Sequence, residues 1–188
     1  MVLITLFLSA FLATIPDPDY GSASAPGGSI MIVPDGSGPT LADRGTPITC
    51  QVLDLAGDPV AGYPFQDIWV AFDDPGQGAI CNNGSVADAS TDANGMTTIS
   101  GAIAGGGNTR QGLRVAFAGV PIPNGWLDIQ VNSPDYDADL NVSLTDVGIL
   151  ASDYSNGVYD FRSDFNHNGT EDLEDVALFA AANGASCP

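Results

Sequence analysis

The 188-residue chain sets 23 Asp+Glu against four Arg and no Lys, a formal net charge of −19. Such a surface repels a phosphate backbone, which excludes nucleic acid as a partner. A hydrophobic content of 44% belongs to a chain that builds a core, not to a disordered acidic tail. The length holds one large domain or two small ones. Residues 1–134 carry 12 acids and 3 Arg, whereas the much shorter stretch 135–188 carries 11 acids and 1 Arg. This shift in composition predicts a domain boundary near Pro134.

Met1 to Ile15 is apolar apart from Thr and Ser. It is shorter than the roughly 20 residues a membrane-spanning helix needs, so no stable membrane span is expected. Its length fits the apolar region of a secretory signal peptide, although the positively charged start is missing. Residues 1–25 are read as a leader, with cleavage in the Gly21–Ala25 stretch. The competing reading is a buried N-terminal helix or strand. Export predicts a secreted, extracellular or cell-surface protein in which disulfides form. Cys50 and Cys81, 31 residues apart, are expected to pair, with Cys187 left over. Two buried free thiols are the alternative for the pair. No CxxC motif is present to hold zinc.

Residues 28–133 alternate short apolar runs with turn residues. The runs are Ser29–Val33, Ile48–Leu55, Ile68–Phe72, Met96–Ile103, Leu113–Ala118 and Leu127–Val131. Ile48, Cys50, Val52 and again Leu113, Val115, Phe117 recur with the period of a half-buried strand. Turns are read at Gly57-Asp58-Pro59, Asn94-Gly95, Gly105-Gly106-Gly107 and Asn124-Gly125, among others. The fold class is therefore mainly β: a sandwich of six or seven strands, followed by a small α-helical domain. Tyr63, Phe65, Trp69 and Phe72 are read as core, with a sugar-stacking strip as the alternative. Trp126 is the better exposed candidate for carbohydrate.

Val52-Leu53-Asp54-Leu55-Ala56-Gly57-Asp58-Pro59-Val60-Ala61-Gly62 and Thr91-Asp92-Ala93-Asn94-Gly95-Met96-Thr97 stand in this order. Together they resemble the bacterial Ig-like repeats of the invasin and intimin kind. That resemblance implies an Ig-like spacer or adhesive module without catalytic residues.

The acids of the second region form an internal repeat at an offset of 29 residues. Asp135, Asp137, Asp139, Asn141, Ser143 and Asp146 occupy positions 1, 3, 5, 7, 9 and 12 of the first copy. Asp164, Asn166, Asn168, Thr170, Asp172 and Asp175 occupy them in the second. Calcium takes six to eight oxygens, and a 12-residue loop supplies them at these positions, through the backbone carbonyl at position 7 and through water at position 9. Hard oxygen donors without Cys fit two calcium ions better than a transition metal.

Aspartate at position 12, and two loop–helix units with no helix evident before each loop, resemble the dockerin module over residues 134–183. The resemblance implies an EF-hand-like, calcium-dependent docking domain for cohesin-type partners, as in polysaccharide-degrading assemblies. Leu140 stands where the second copy has Gly169, and Glu171 where the first has Val142. At positions 10 and 11, the usual recognition pair, Leu144-Thr145 and Leu173-Glu174 stand in place of Ser-Thr. No enzyme is expected. The single histidine, His167, sits at position 4 of the second loop, where side chains are expected to point outward. The paired carboxylates are already accounted for as metal ligands, which leaves a glycosidase reading without its own acids. The alternative function is a calcium-rigidified structural or adhesive surface protein that self-associates.

Overall fold

The computed structural model describes residues 15–188. Most of the expected leader therefore lies outside the described residues. Ten strands precede two helices. The strands are β1 (Ser22–Ser24), β2 (Gly28–Met31), β3 (Ile48–Gln51), β4 (Ile68–Phe72) and β5 (Gly78–Ile80). They continue as β6 (Met96–Ile99), β7 (Gly105–Gly107), β8 (Leu113–Phe117), β9 (Val120–Leu127) and β10 (Ile129–Asn132). Helices α1 (Leu144–Asn156) and α2 (Leu173–Ala182) follow. The fold is mainly β.

β1-β3-β6 and β4-β8-β9 form antiparallel sheets, β5 pairs antiparallel with β7, and β10 pairs parallel with β2. The period-two alternation places Ile48, Cys50 and Val52 in the same buried cluster as Leu113, Val115 and Phe117. Ile30, Ile68, Val70, Ile122 and Ile129 complete that core. Tyr63, Phe65 and Phe72 pack against its margin.

Four strands were not expected. β1 falls in the Gly21–Ala25 stretch read as a cleavage region; Ala23 is buried opposite Cys50, so the sheet begins upstream of residue 28. β5 carries a single large apolar residue, Ile80, too few to show a pattern. β7 is the triglycine read as a turn, and it is a buried strand paired with β5. β9 contains the Asn124-Gly125 pair also read as a turn. Arg114 pairs with Trp126 but Ala116 pairs with Pro121, so Asn124-Gly125 lies in a bulge within the strand. Pro121 and Pro123 are tolerated because β9 is an outer strand of its sheet. The actual hairpin between β8 and β9 is Ala118-Gly119, with φ of 48° and 85°, the positive pair that a two-residue hairpin loop requires.

The two segments Val52–Gly62 and Thr91–Thr97 interlock. Val52 donates its N–H to the Gly95 carbonyl at 2.9 Å, and Thr91 Oγ1 donates to the Val60 carbonyl at 2.5 Å. Asp54 and Asp92 each hold their own turn by accepting two backbone N–H groups. A side chain at Gly95 would meet the Val52 carbonyl at 2.4 Å, so glycine there serves both φ and contact.

Cys81 pairs with Cys187, across 106 residues, with Cα atoms 5.7 Å apart. The expected Cys50–Cys81 bridge is therefore corrected. Cys50 is free in the middle of β3 and faces the core, whereas Cys81 follows β5 and meets the chain's last turn. Burial pushes the Cys50 thiol up to about 12, with the Asp88 charge adding to it.

A second core cluster joins Met31 and Val33 to Tyr136, Val142, Leu150, Phe165, Phe179, Ala182 and Ala185. Residues just after and within β2 thus pack beneath both helices. Among the described residues no helix is long and apolar enough to cross a membrane.

Candidate metal centres

Each loop ends in a capped helix. Ser143 and Asp172, at position 9, are the N-caps of α1 and α2, and Asp146 and Asp175, at position 12, complete capping boxes with them. The role in capping explains part of the repeat without any ion. The remaining positions are what a capping box leaves unexplained.

Both loops carry the same hydrogen bonds at the same positions. At position 1, Asp135 accepts the Leu140 N–H at 2.8 Å and Asp164 accepts the Gly169 N–H at 2.9 Å. At position 5, Asp139 and Asn168 accept the N–H two residues on, at 2.9 and 2.8 Å. At position 12, Asp146 and Asp175 accept the N–H of position 2, Tyr136 and Phe165, both at 2.8 Å. Positions 4 and 6 turn left-handed in both: Ala138 and Leu140 at 58° and 69°, His167 and Gly169 at 61° and 86°. These turns draw the alternate side chains of each loop to one side.

Positions 1 and 12 are buried and positions 3 and 5 are at the surface, apart from half-buried Asn166. The carboxylates of Asp135, Asp137 and Asp139 come within 4.8 Å of one another. Asp135 is fully buried, and its Oδ1 has neither solvent nor a hydrogen-bond partner. Burial, then the charges of Asp146, Asp139 and Asp137, raise its carboxyl to about 6 against the opposing Leu140 N–H. A buried anionic oxygen without a donor is costly unless a cation meets it. The donor set of loop one therefore fits a hard divalent cation.

Loop two offers amides at positions 3 and 5, which lowers its charge. Its position 1, Asp164, also accepts Tyr159 Oη at 2.8 Å. Asn141, the position 7 residue of loop one, bridges to Ser186, and Val142 exchanges hydrogen bonds with Gly184 and Ala185. Val142 therefore pairs with the chain's end rather than with Glu171 of loop two, whose Oε1 is buried without a hydrogen-bond partner. His167 departs from the outward orientation expected of it. It is half-buried, its Nε2 has no hydrogen-bond partner, and burial followed by the Arg44 charge lowers it to about 4.

Three contacts around the loops lie beyond sequence reasoning. Asn132 Nδ2 donates to the carbonyls of Phe161 and Asp164. Arg162 grips Asp153 through Nε and Nη2 at 2.7 and 2.6 Å, and Ser163 donates to the same carboxylate. The third is the seating of Asp135 on β7, since a Cβ at Gly106 would lie 1.8 Å from Asp135 Oδ2. Trp126, the carbohydrate candidate, is 49% exposed, but the Arg114 guanidinium covers one face at 3.6 Å and is itself bound to Asp73.

No family model and no curated protein matches the chain. Among solved structures it is similar to the Yersinia pseudotuberculosis adhesin InvE, at 17% identity and a TM-score of 0.32. The match covers 64% of this chain and 28% of the adhesin chain, so the chain spans little more than a quarter of that protein. This likeness is too slight to assign a fold or an activity.

Proposed function

We propose that the chain is an exported, non-catalytic calcium-binding protein. In this reading an Ig-like β-sandwich over residues 28–133 carries a dockerin-like module over 134–188 that assembles with a protein partner of the cohesin type. The observation that carries the calcium reading is the fully buried, unpartnered Asp135 Oδ1 beside Asp137 and Asp139. The ion would be held by Asp135, Asp137, Asp139, the Asn141 carbonyl, Ser143 through water, and Asp146. The second would be held by Asp164, Asn166, Asn168, the Thr170 carbonyl, Asp172 through water, and Asp175. Calcium supplies the positive charge that lets each group of acids share one loop. Four carboxylates against three make loop one the tighter site.

Docking is supported by Leu144 and Leu173. They hold the same position in the repeat, open the two helices, and are 85% and 72% exposed. The Cys81–Cys187 disulfide suits an oxidising, extracellular setting.

The second reading is a structural or adhesive surface protein whose calcium stiffens the chain. It is supported by the core that Met31 and Val33 share with both helices, together with the disulfide. Calcium titrated into chelator-treated protein, followed by calorimetry and circular dichroism, should give two binding events with a gain of helix. Absence of both refutes the calcium reading. A cohesin panel then separates the functions: capture that is abolished by Leu144→Asp plus Leu173→Asp supports docking. Calcium-dependent self-association without capture supports the structural reading.

A further inference from the structure

We infer that Gly106, in strand β7 of the β region, is a positioning residue for metal loop one, which is thereby built from both parts of the chain. The inference rests on the calcium reading above. Three consecutive glycines weaken a strand, because they add backbone entropy and pack no side chain. Their presence in a buried strand calls for close approaches: the backbone of Gln77–Ile80 crowds Gly105 and Gly107, and Asp135 crowds Gly106.

A Cβ on Gly106 would stand 1.8 Å from Asp135 Oδ2, 2.5 Å from Cγ and 3.0 Å from Cβ. The Asp135 side chain has no freedom to step aside. Its Oδ2 accepts the Leu140 N–H at 2.8 Å, which closes the loop's turn. The Asp135 carbonyl accepts the Gly107 N–H at 2.7 Å, and its own N–H donates to Ser133 Oγ at 3.2 Å. The residue at position 1 is thus fastened to β7 on one side and to position 6 on the other.

The strand is held in turn from the far side of the loop. Cys187 N–H donates to the Leu140 carbonyl at 3.3 Å, and its sulfur is joined to Cys81, whose N–H donates to Ala104 at 2.9 Å. Ala104 leads directly into β7. Loop one therefore sits within a closed circuit of Gly106, Asp135, Leu140, Cys187, Cys81 and Ala104. Among the described glycines none approaches Asp164 in this way.

The test is calcium calorimetry on the full chain after chelation, comparing wild type, Gly106→Ala, Asp164→Ala and the double variant. Wild type should show two events and Asp164→Ala should retain the loop-one event. Gly106→Ala should keep the loop-two event while loop-one affinity falls about 10- to 100-fold, the usual effect of losing a group that orients a ligand. The double variant should show neither event at wild-type affinity. Two unchanged events in Gly106→Ala overturn the inference alone, whereas no binding by wild type overturns the calcium reading and the inference with it. A fold test in saturating calcium accompanies this, since Gly106→Ala risks misfolding. Asp135→Ala removes both Oδ2 and Cγ, so adding Gly106→Ala to Asp135→Ala should shift the urea midpoint far less than adding it to wild type. Equal shifts in both backgrounds contradict the contact.

Discussion

Asn132, the last residue of β10, donates its side-chain amide to the carbonyls of Phe161 at 3.0 Å and Asp164 at 2.6 Å. Asn132 is fully buried, so one side chain from the β region satisfies two carbonyls at the entrance to loop two. Asn132→Ala leaves both carbonyls without that donor and should cost about 1–3 kcal/mol. Urea denaturation read by circular dichroism measures it; a change below about 0.5 kcal/mol would mean that water replaces the amide at no loss.

Asp153 supplies a pH dependence. Burial raises its carboxyl, but the Arg162 and Ser163 hydrogen bonds and the Arg162 charge outweigh this and hold it below the ordinary carboxylate range. A folded-state value below the unfolded one contributes stability that is complete above about pH 4 and is lost as pH falls through the depressed value. Asp153→Asn should therefore cost about 2 kcal/mol at pH 7. Its difference from wild type should shrink as the medium is acidified below about pH 4. A difference that stays constant from pH 7 to pH 2 would rule out the ionised pair as its cause.

The cysteines should separate cleanly by reactivity. Cys50, buried with its thiol pushed up to about 12, should resist alkylation in the native state and label only on unfolding. Cys187→Ser opens a bridge spanning 106 residues and should lower stability by about 2–4 kcal/mol. Peptide mapping that recovers Cys50 in a disulfide would contradict this pairing.

Leu140 occupies the left-handed region at φ 69°, where its partner in the repeat is Gly169. That conformation costs a side chain with a Cβ about 1–2 kcal/mol. Replacing Leu140 by Asn, which tolerates the region, should raise the thermal midpoint slightly, while Gly169→Ala should lower it. Opposite signs are the expected result, and a destabilised Leu140→Asn would assign more weight to leucine packing than to strain.

Much of this protein is determined by sequence alone wherever the physics is local. The 29-residue repeat places equivalent side chains on equivalent loop positions, because each loop is closed by hydrogen bonds among its own twelve residues. The period-two runs at β3 and β8 reach the core for a similar reason, since alternation alone decides which side of a strand is apolar. The interlocked phrases around Val52 and Gly95 were also legible as a motif, though not the contact between them.

What only the tertiary structure decided involves partners far apart in the chain. Cys81 finds Cys187 and not Cys50 because the chain's end folds back along loop one and carries Cys187 to the end of β5, while β3 turns Cys50 into the core. The triglycine reads as a turn in one dimension, since glycine signals backbone freedom. In three dimensions it is a strand stripped of side chains because Asp135, in a different part of the chain, lies against Gly106, while the backbone of Gln77–Ile80 crowds Gly105 and Gly107. Asn124-Gly125 reads as a turn for the same reason, yet Ala118-Gly119 already joins β8 to β9 and the later glycine is left to a bulge. Residue type states what a backbone tolerates; which of those tolerances is used depends on what packs against it.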